Sequence, residues 1–259
     1  MPTSRFLALT AAGLLAATPA IALAQTPPRP ASAQPASAAP EKPWSFDFGL
    51  GWDNSISGNI NSGAIGTLNG QATAILRNRY EDVYGTGLHL RFGGGYKLDA
   101  LNEIRAVFTF QSLDADLTVL GDIGASKLYA QYDRYKSLTL DVGLRRYVPN
   151  TVQNVRLYAE GAIGLGFISE LDVELVAPGS NIIFDATDFY DATTAFTMSA
   201  NMGILFNVHK QIDLNAQIGL RYMTGLSDVD AFAGTGLEDL NSHTSRWTVP
   251  FIMGVSFRF

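Results

Sequence analysis

The chain has 259 residues, no cysteine, and 24 acidic residues against 18 basic ones. The lack of cysteine excludes disulfide bonds, thiolate catalysis, cysteine-bound metals and a lipid-modified cysteine. The acidic balance argues against nucleic acid as a partner, because a polyanion attracts basic surfaces.

Residues 1–24 are predicted to be a cleaved secretory signal peptide. Arg5 supplies the positive start, residues 6–17 are almost wholly apolar, and Ala22-Leu23-Ala24 forms a small-x-small cleavage site. The apolar run is short for a spanning helix, which needs ~20 apolar residues. Cleavage would leave 24 acidic against 17 basic residues, a formal net charge of −7.

Residues 25–43, QTPPRPASAQPASAAPEKP, are predicted to be a disordered linker. Proline, alanine and serine dominate the segment, and such a composition has too little apolar surface to build a core. A tether that faces peptidoglycan is the alternative interpretation of the same residues.

From Trp44 onward, apolar residues recur at every second position. In WSFDFGLGWD the large apolar side chains take one face and small or acidic ones take the other. This alternation is typical of β-strands. It occurs in eight segments, which are 44–53, 86–98, 104–111, 137–147, 155–167, 196–208, 212–223 and 246–259. We therefore predict an all-β domain over residues 44–259.

The connections between these segments alternate in length. Short links fall at LDALNE, VPNTVQNV and VHKQI, and long ones at 54–83, 112–127, 168–192 and 224–245. Short turns at one end and long loops at the other are typical of bacterial outer-membrane barrels, which have an even number of strands. The sequence predicts a closed antiparallel up-and-down transmembrane β-barrel of eight strands.

A soluble β-sandwich also alternates and is the competing prediction. The barrel is favoured because the apolar faces are long enough to cross a bilayer and the opposite faces are rich in glycine with scattered charges. Aromatic residues also gather at strand ends, as in an interfacial girdle. These residues are Trp44, Trp52, Tyr84, Tyr96, Tyr147, Tyr222, Trp247 and Phe259.

The last residues, MGVSFRF, resemble the closing strand of outer-membrane β-barrel proteins, in which alternating apolar residues end in a terminal phenylalanine. The eight-strand layout resembles the small OmpA-membrane-domain, OmpX and OmpW-like barrels. The resemblance implies that Val255, Phe257 and Phe259 are read by the barrel-assembly machinery. Pro250 departs from the pattern, because proline cannot donate a hydrogen bond to the strand ladder.

The same resemblance implies a place in the bacterial outer membrane, with both mature termini in the periplasm and the long loops outside. The implied partners are outer-membrane lipids and, during insertion, the assembly machinery and periplasmic chaperones. We expect a monomer. The family contains anchors, adhesins, small-solute channels and a few lipid enzymes, so the resemblance indicates the architecture better than the function.

The inward faces of the predicted strands carry charges of both signs. The network expected in the lumen consists of Asp47, Arg91, Asp141, Arg145, Glu160 and Arg221. Asp141 and Glu160 are expected at similar depth on neighbouring strands, where they would repel each other unless arginines neutralise them. We predict that this network plugs the lumen, and the alternative is that the charges line a wet one.

Catalytic groups are sparse in the sequence. His243 and Ser245 resemble the His-x-Ser pair of lipid A deacylases, with Glu238 as a speculative third member, but the rest of that motif is not matched. We expect no enzyme, no cofactor and no metal, and a structural or surface-interaction role. A narrow channel for small solutes is the first alternative, and a lipid-modifying enzyme is the second.

The predicted outer loops are acidic. A solvated surface is the favoured interpretation, and a weak divalent-cation site that bridges lipid phosphates is the sharper alternative.

Overall fold

The computed structural model describes residues 43–149, 152–178, 182–230, 232–241 and 245–259, without the side chains of 182–187 and 228. The predicted signal peptide, the predicted linker up to residue 42, and His243 lie outside these residues.

Fifteen strands and one helical turn form within the described ranges. They are β1 (Trp44–Ser57), β2 (Ala64–Leu68), β3 (Gln71–Ile75), α1 (Tyr80–Val83), β4 (Gly87–Lys97), β5 (Asn102–Leu113), β6 (Thr118–Ile123), β7 (Ser126–Tyr132), β8 (Tyr135–Tyr147), β9 (Val155–Ile168), β10 (Leu171–Ala177), β11 (Ile182–Asp191), β12 (Thr193–His209), β13 (Ile212–Met223), β14 (Ser227–Asp228) and β15 (Arg246–Arg258). No helix in the described part of the chain is long and apolar enough to cross a membrane.

Eight strands close into an antiparallel barrel in the order β1-β15-β13-β12-β9-β8-β5-β4. The first and last strands pair with each other over most of their length, so the sheet has no free edge. Each predicted segment overlaps one of these eight strands, and the predicted fold is confirmed. Closure gives every strand two partners, which lipid requires because it cannot bond to backbone polar groups.

The outer face of the barrel is apolar all round. Phe108, Ile163 and Leu220 are 49%, 61% and 45% exposed, respectively, although each lies in the middle of a strand. On β12 the outward apolar residues run from Phe196 to Val208, which is about 40 Å of strand at ~3.3 Å per residue. A strand tilted by ~35–45° converts this length to about 30 Å, which is the thickness of a hydrocarbon core.

The two ends of the barrel differ. At one end lie the turns between β4 and β5, β8 and β9, and β12 and β13; we call it the short-turn end. The Trp44 N–H donates to the Phe259 carbonyl at 3.2 Å, and the Phe259 N–H donates back at 3.1 Å. The first barrel residue and the last residue of the chain therefore lie side by side at the short-turn end.

The opposite end carries a second sheet of seven strands in the order β14-β11-β10-β7-β6-β3-β2. Its edge strand β2 is covered by residues 232–241, because the Thr67 N–H donates to the Thr235 carbonyl at 2.8 Å. We call this sheet, α1 and their connections the cap, which comprises the described residues of 58–86, 114–134, 169–192 and 224–245. The predicted long loops are thus largely folded, and acidic side chains on them, such as Glu174, Glu238 and Asp239, are exposed as expected.

The cap has the opposite polarity to the barrel wall. On β7, Leu128 and Ala130 are fully buried, and on β10 the same holds for Leu171. These side chains belong to one apolar core inside the cap. A sheet in lipid turns its apolar face outward, whereas a sheet in water turns it inward, so the inversion indicates where the apolar solvent ends.

Two residues expected in the aromatic girdle lie elsewhere. Tyr84 is buried in the cap core, where its hydroxyl donates to the Asp133 carbonyl at 2.9 Å, and Tyr147 is buried inside the barrel. Tyr84 lies past the end of the barrel wall, which alternation alone does not show, whereas Tyr147 shares the inward parity of Asp141 and Arg145 on β8. Aromatic pairs of the kind expected in an interfacial girdle do occur at both ends of the barrel wall. Trp44 packs on Tyr96 at the short-turn end and Tyr222 on Trp247 near the cap, with ring centroids 4.8 and 5.0 Å apart.

Candidate functional site

Glu160 on β9 is the centre of a buried ionic network inside the barrel. Its carboxylate lies 2.5 Å from Arg91 Nη2, 2.8 Å from Arg145 Nη2 and 3.3 Å from Arg105 Nε. These four side chains come from β4, β5, β8 and β9, and all are buried. One carboxylate thereby holds four strands together across the lumen.

Asp47 on β1 joins the same network. It pairs with Arg105, lies 3.6 Å from Arg145 Nη2, and accepts a hydrogen bond from the Ser256 hydroxyl. Since Ser256 belongs to β15, the network also includes the two strands that close the barrel.

Glu103 completes the set at the short-turn end. Its carboxylate accepts hydrogen bonds from Arg105 Nη1 at 3.0 Å, from the Ser45 hydroxyl at 2.5 Å and from the Tyr147 hydroxyl. We define the lumen network as Asp47, Arg91, Glu103, Arg105, Arg145 and Glu160. Its three arginines balance its three carboxylates, as buried ions must be paired to offset a desolvation cost of several kcal/mol each.

A second polar group lies nearer the cap. Arg221 is 3.6 Å from Asp53, whose carboxylate also accepts a hydrogen bond from the Gln111 side chain at 3.1 Å. Arg246 donates to Gln111 at 3.1 Å and stacks over the Tyr135 ring at 4.4 Å. Through Arg246, this group connects the polar side chains of the lumen with the buried Tyr135 ring at the base of the cap.

The six residues predicted to form one lumen network do not all lie together. Asp47, Arg91, Arg145 and Glu160 lie together in the lumen network, whereas Arg221 pairs with Asp53 in the second group. Asp141 forms no ion pair among the described residues.

The expected equal depth of Asp141 and Glu160 is wrong. Glu160 lies opposite Arg145, whereas Asp141 lies opposite Gly164 and accepts a hydrogen bond from the Thr197 hydroxyl at 2.6 Å. The reason is strand stagger. Tyr147 pairs with Tyr158, so the first residues of β9 extend beyond β8.

Two network residues were absent from the predicted set. Arg105 has inward parity but was not assigned a partner, and Glu103 fell in a predicted turn. The alternation on β5 supplies the missing signal, because Glu103 is two positions before Arg105 and so shares its face. Glu103, which the sequence placed in a turn, is thus the first inward-facing residue of β5.

Between the two polar groups lies a small cavity lined by Arg91, Asp141, Asn201 and Arg221, among others. It offers about 10 Å³ to the centre of a water-sized sphere, which is close to the minimum for one water molecule. His89 is buried nearby on β4, and no described residue hydrogen-bonds either ring nitrogen.

The predicted assembly-signal residues lie on the outward parity of the closing strand. Phe257 and Phe259 are 40% and 58% exposed, and Val255 pairs with Phe48 and Leu214. Their role in assembly stays a prediction.

Pro250 interrupts the ladder of the closing strand. The pairing of β13 with β15 breaks between Ile218–Phe251 and Arg221–Thr248. The break follows from the missing N–H of proline.

The residues of the enzyme alternative are not assembled in the described structure. His243 lies outside the described residues, and Ser245 is exposed. The Glu238 carboxylate accepts the N–H groups of Gly234 at 2.8 Å and Gly236 at 3.2 Å. Backbone N–H groups of this turn, including its own, hold the pKa of Glu238 below its usual value. The Glu238 carboxylate thus stabilises the turn in which it lies.

The acidic strands of the cap bring carboxylates together. Asp172 on β10 pairs directly with Asp188 on β11. Partial burial, followed by the charges of Asp188 and Asp133, raises the pKa of Asp172. Within the described residues, no three acidic or histidine side chains are arranged to hold a metal ion.

No protein-family model matches the chain, and no curated protein matches it by sequence. Solved structures do resemble it. A major outer membrane protein from Thermus thermophilus is 14% identical with a TM-score of 0.47, over 83% of this chain and 99% of that one. Neisserial surface protein A is 13% identical with a TM-score of 0.41, over 83% and 97%. The outer membrane protease OmpT from Escherichia coli is 8% identical with a TM-score of 0.41, over 86% and 99%.

At these identities and TM-scores the likeness carries no information about function. The architecture follows from the chain itself, whose eight antiparallel strands close around a polar lumen beneath an apolar exterior. The chain has the fold of the small eight-stranded outer-membrane β-barrels.

Proposed function

We propose that this chain is a non-conducting outer-membrane barrel that holds its cap outside the cell as an interaction surface. The observation that carries the proposal is the charge-balanced lumen network, in which Glu160 contacts three arginines within 3.3 Å. An eight-stranded barrel is narrow enough for side chains to fill. The six side chains of the network come from five strands, and they leave little free space between them.

The location is supported by three independent features. The predicted signal peptide exports the chain, the apolar exterior is tall enough for a bilayer, and MGVSFRF resembles an assembly signal. Outer-membrane barrels keep their short turns in the periplasm, which would place Trp44 and Phe259 there and the cap outside.

The absence of cysteine makes the orientation testable. Thr67→Cys in the cap and Lys210→Cys at the short-turn end introduce single thiols at exposed positions. A membrane-impermeable maleimide added to whole cells should label the Thr67→Cys variant and spare the Lys210→Cys variant until the cells are lysed. Labelling of only the Lys210→Cys variant in whole cells would reverse the proposed orientation.

A closed lumen is tested by planar-bilayer recording of the refolded chain. We expect the current to stay at the empty-bilayer baseline. Steady conductance would favour the narrow-channel alternative, for which the water-sized polar cavity beside Asp141 is the supporting observation.

A further inference from the structure

A row of apolar side chains crosses the outward face of the cap. Val119 on β6 pairs with Tyr129 on β7, and Tyr129 pairs with Val176 on β10. The Leu76 N–H donates to the Leu120 carbonyl, which sets Leu76 beside β6. We call Leu76, Val119, Tyr129 and Val176 the apolar row. Leu76 is 55% and Val119 41% exposed, and Tyr129 and Val176 are partly exposed.

The apolar row is separate from the lipid-facing band. The last lipid-facing residue of β9 is Phe167, and Val176 follows nine positions later on the continuing strand pair. Glu170, Asp172 and Glu174 come between them. A belt of carboxylates at the edge of a hydrocarbon core is costly to bury, so lipid does not reach the row. The row faces water.

The sheet beneath the row is held rigidly. Asn61 donates to the Tyr132 hydroxyl at 3.1 Å, and Asn78 donates to the Val119 carbonyl at 3.1 Å. Leu128 and Ala130, which flank Tyr129 on its own strand, are fully buried. A face fixed in this way needs little ordering when a partner binds.

The charge at the β10–β11 end of the row has one sign, whereas at the β6–β7 end Lys127 pairs with Asp122 at 2.7 Å. Segments 169–192 and 224–245 hold ten acidic residues and no lysine or arginine. Glu174 lies two positions from Val176 on the same face, and Asp172 directly opposes Asp188 across the strand pair. Like charges in that position destabilise a sheet, and a cation brought by a partner would relieve the repulsion.

We propose that the apolar row and the carboxylates of β10 and β11 form a docking surface for a basic polypeptide segment that carries apolar side chains. The apolar row supplies the desolvated centre that anchors binding, and the carboxylates supply orientation and association rate. The inference rests on the proposed function, because the surface meets external partners only if the cap lies outside the cell.

The test uses the refolded full chain in zwitterionic detergent and a fluorescent ten-residue peptide in which lysine alternates with tryptophan and valine. Fluorescence anisotropy measures its affinity, with empty micelles as the blank. Val119→Ser should weaken binding about tenfold. The double variant Glu174→Gln/Asp188→Asn should weaken it by a similar factor and remove most of the salt dependence.

Ile65→Ser is the matched control, because Ile65 is 83% exposed on the far edge strand, away from β10 and β11. Its affinity for the peptide should equal that of the parent. A peptide with glutamate in place of lysine should not bind. Equal binding by the Val119→Ser variant and the parent, or equal binding of the two peptides, would overturn the proposal. If the refolded chain conducted ions, or if the cap faced the periplasm, the proposed function would be refuted but the measured peptide affinities would not change. The two failures can therefore be told apart.

Discussion

At the scale of single residues, Glu160 shows why the lumen charges act as a unit. Its carboxylate is almost fully buried and faces three guanidinium groups. Removing one member of a buried ionic set leaves the others desolvated and uncompensated, which costs more than the lost attraction alone.

Glu160→Gln should therefore lower the free energy of unfolding by about 3–5 kcal/mol. Chemical unfolding in lipid vesicles, followed by tryptophan fluorescence, measures the loss. Glu174→Gln is the control, since it removes an exposed carboxylate and should change the stability by less than about 0.5 kcal/mol. Equal effects of the two substitutions would show that the network contributes no stability.

The sequence predicts the inward parity of the lumen residues but not all of their partners. Alternation alone places Asp47, Arg91, Arg145 and Glu160 on one face, because parity is a local property of a strand. Register is not local. The register between two strands depends on the stagger at the turn that joins them. Alternation therefore cannot show that Asp141 and Glu160 lie at different depths.

At the scale of elements, each long hairpin changes polarity where it leaves the barrel. The sequence does not predict this change, because the cap strands are short and their apolar residues, such as Leu128 and Leu171, continue the same period of two. Only their partners reveal that these side chains point inward. Residues 126–132 and 171–177 do alternate, so the strands themselves were predictable.

The change of polarity predicts opposite responses to an outward arginine. Leu140→Arg on β8 should cost about 2–4 kcal/mol, because it faces the hydrocarbon core. Ala74→Arg on β3 of the cap is also outward and exposed, and should cost less than about 0.5 kcal/mol. Unfolding in vesicles gives both values. A similar loss of stability for the two variants would mean that the barrel wall and the cap face the same solvent, and not lipid and water respectively.

The Asp172–Asp188 pair predicts a dependence of cap stability on pH. A carboxyl group whose pKa is raised by folding binds protons better in the folded state, so its contribution to stability falls as the pH rises above 3.8, the usual value. Asp172→Asn should therefore stabilise β10 and β11 at pH 7 and have little effect at pH 3. Amide hydrogen exchange of these strands measures the change. Stabilisation of equal size at both pH values would contradict the assignment.

At the scale of the whole molecule, closure of the barrel was predictable because it follows from strand number and alternating loop length. The cap sheet and the charge balance of the lumen were not, since both require pairing between segments far apart in sequence.

The proposed assembly signal predicts a difference between cells and refolding. Deletion of Phe259 removes one exposed aromatic ring and should cost at most about 1.5–3 kcal/mol of apolar burial. The deletion variant should therefore refold in detergent but accumulate poorly in the outer membrane of living cells. Phe251→Ala on the same strand is the control. Equal accumulation of the two variants would leave Phe259 as packing only.

The most direct test of the closed lumen is a comparison of planar-bilayer currents from the refolded parent chain and the double variant Arg91→Ala/Glu160→Ala. The double substitution keeps the lumen network neutral, with Arg105 and Arg145 facing Asp47 and Glu103, but removes the bridge between β4 and β9. We predict baseline current for the parent and discrete conductance steps for the variant. Steady conductance of the parent, at the same level as the variant, would contradict the account.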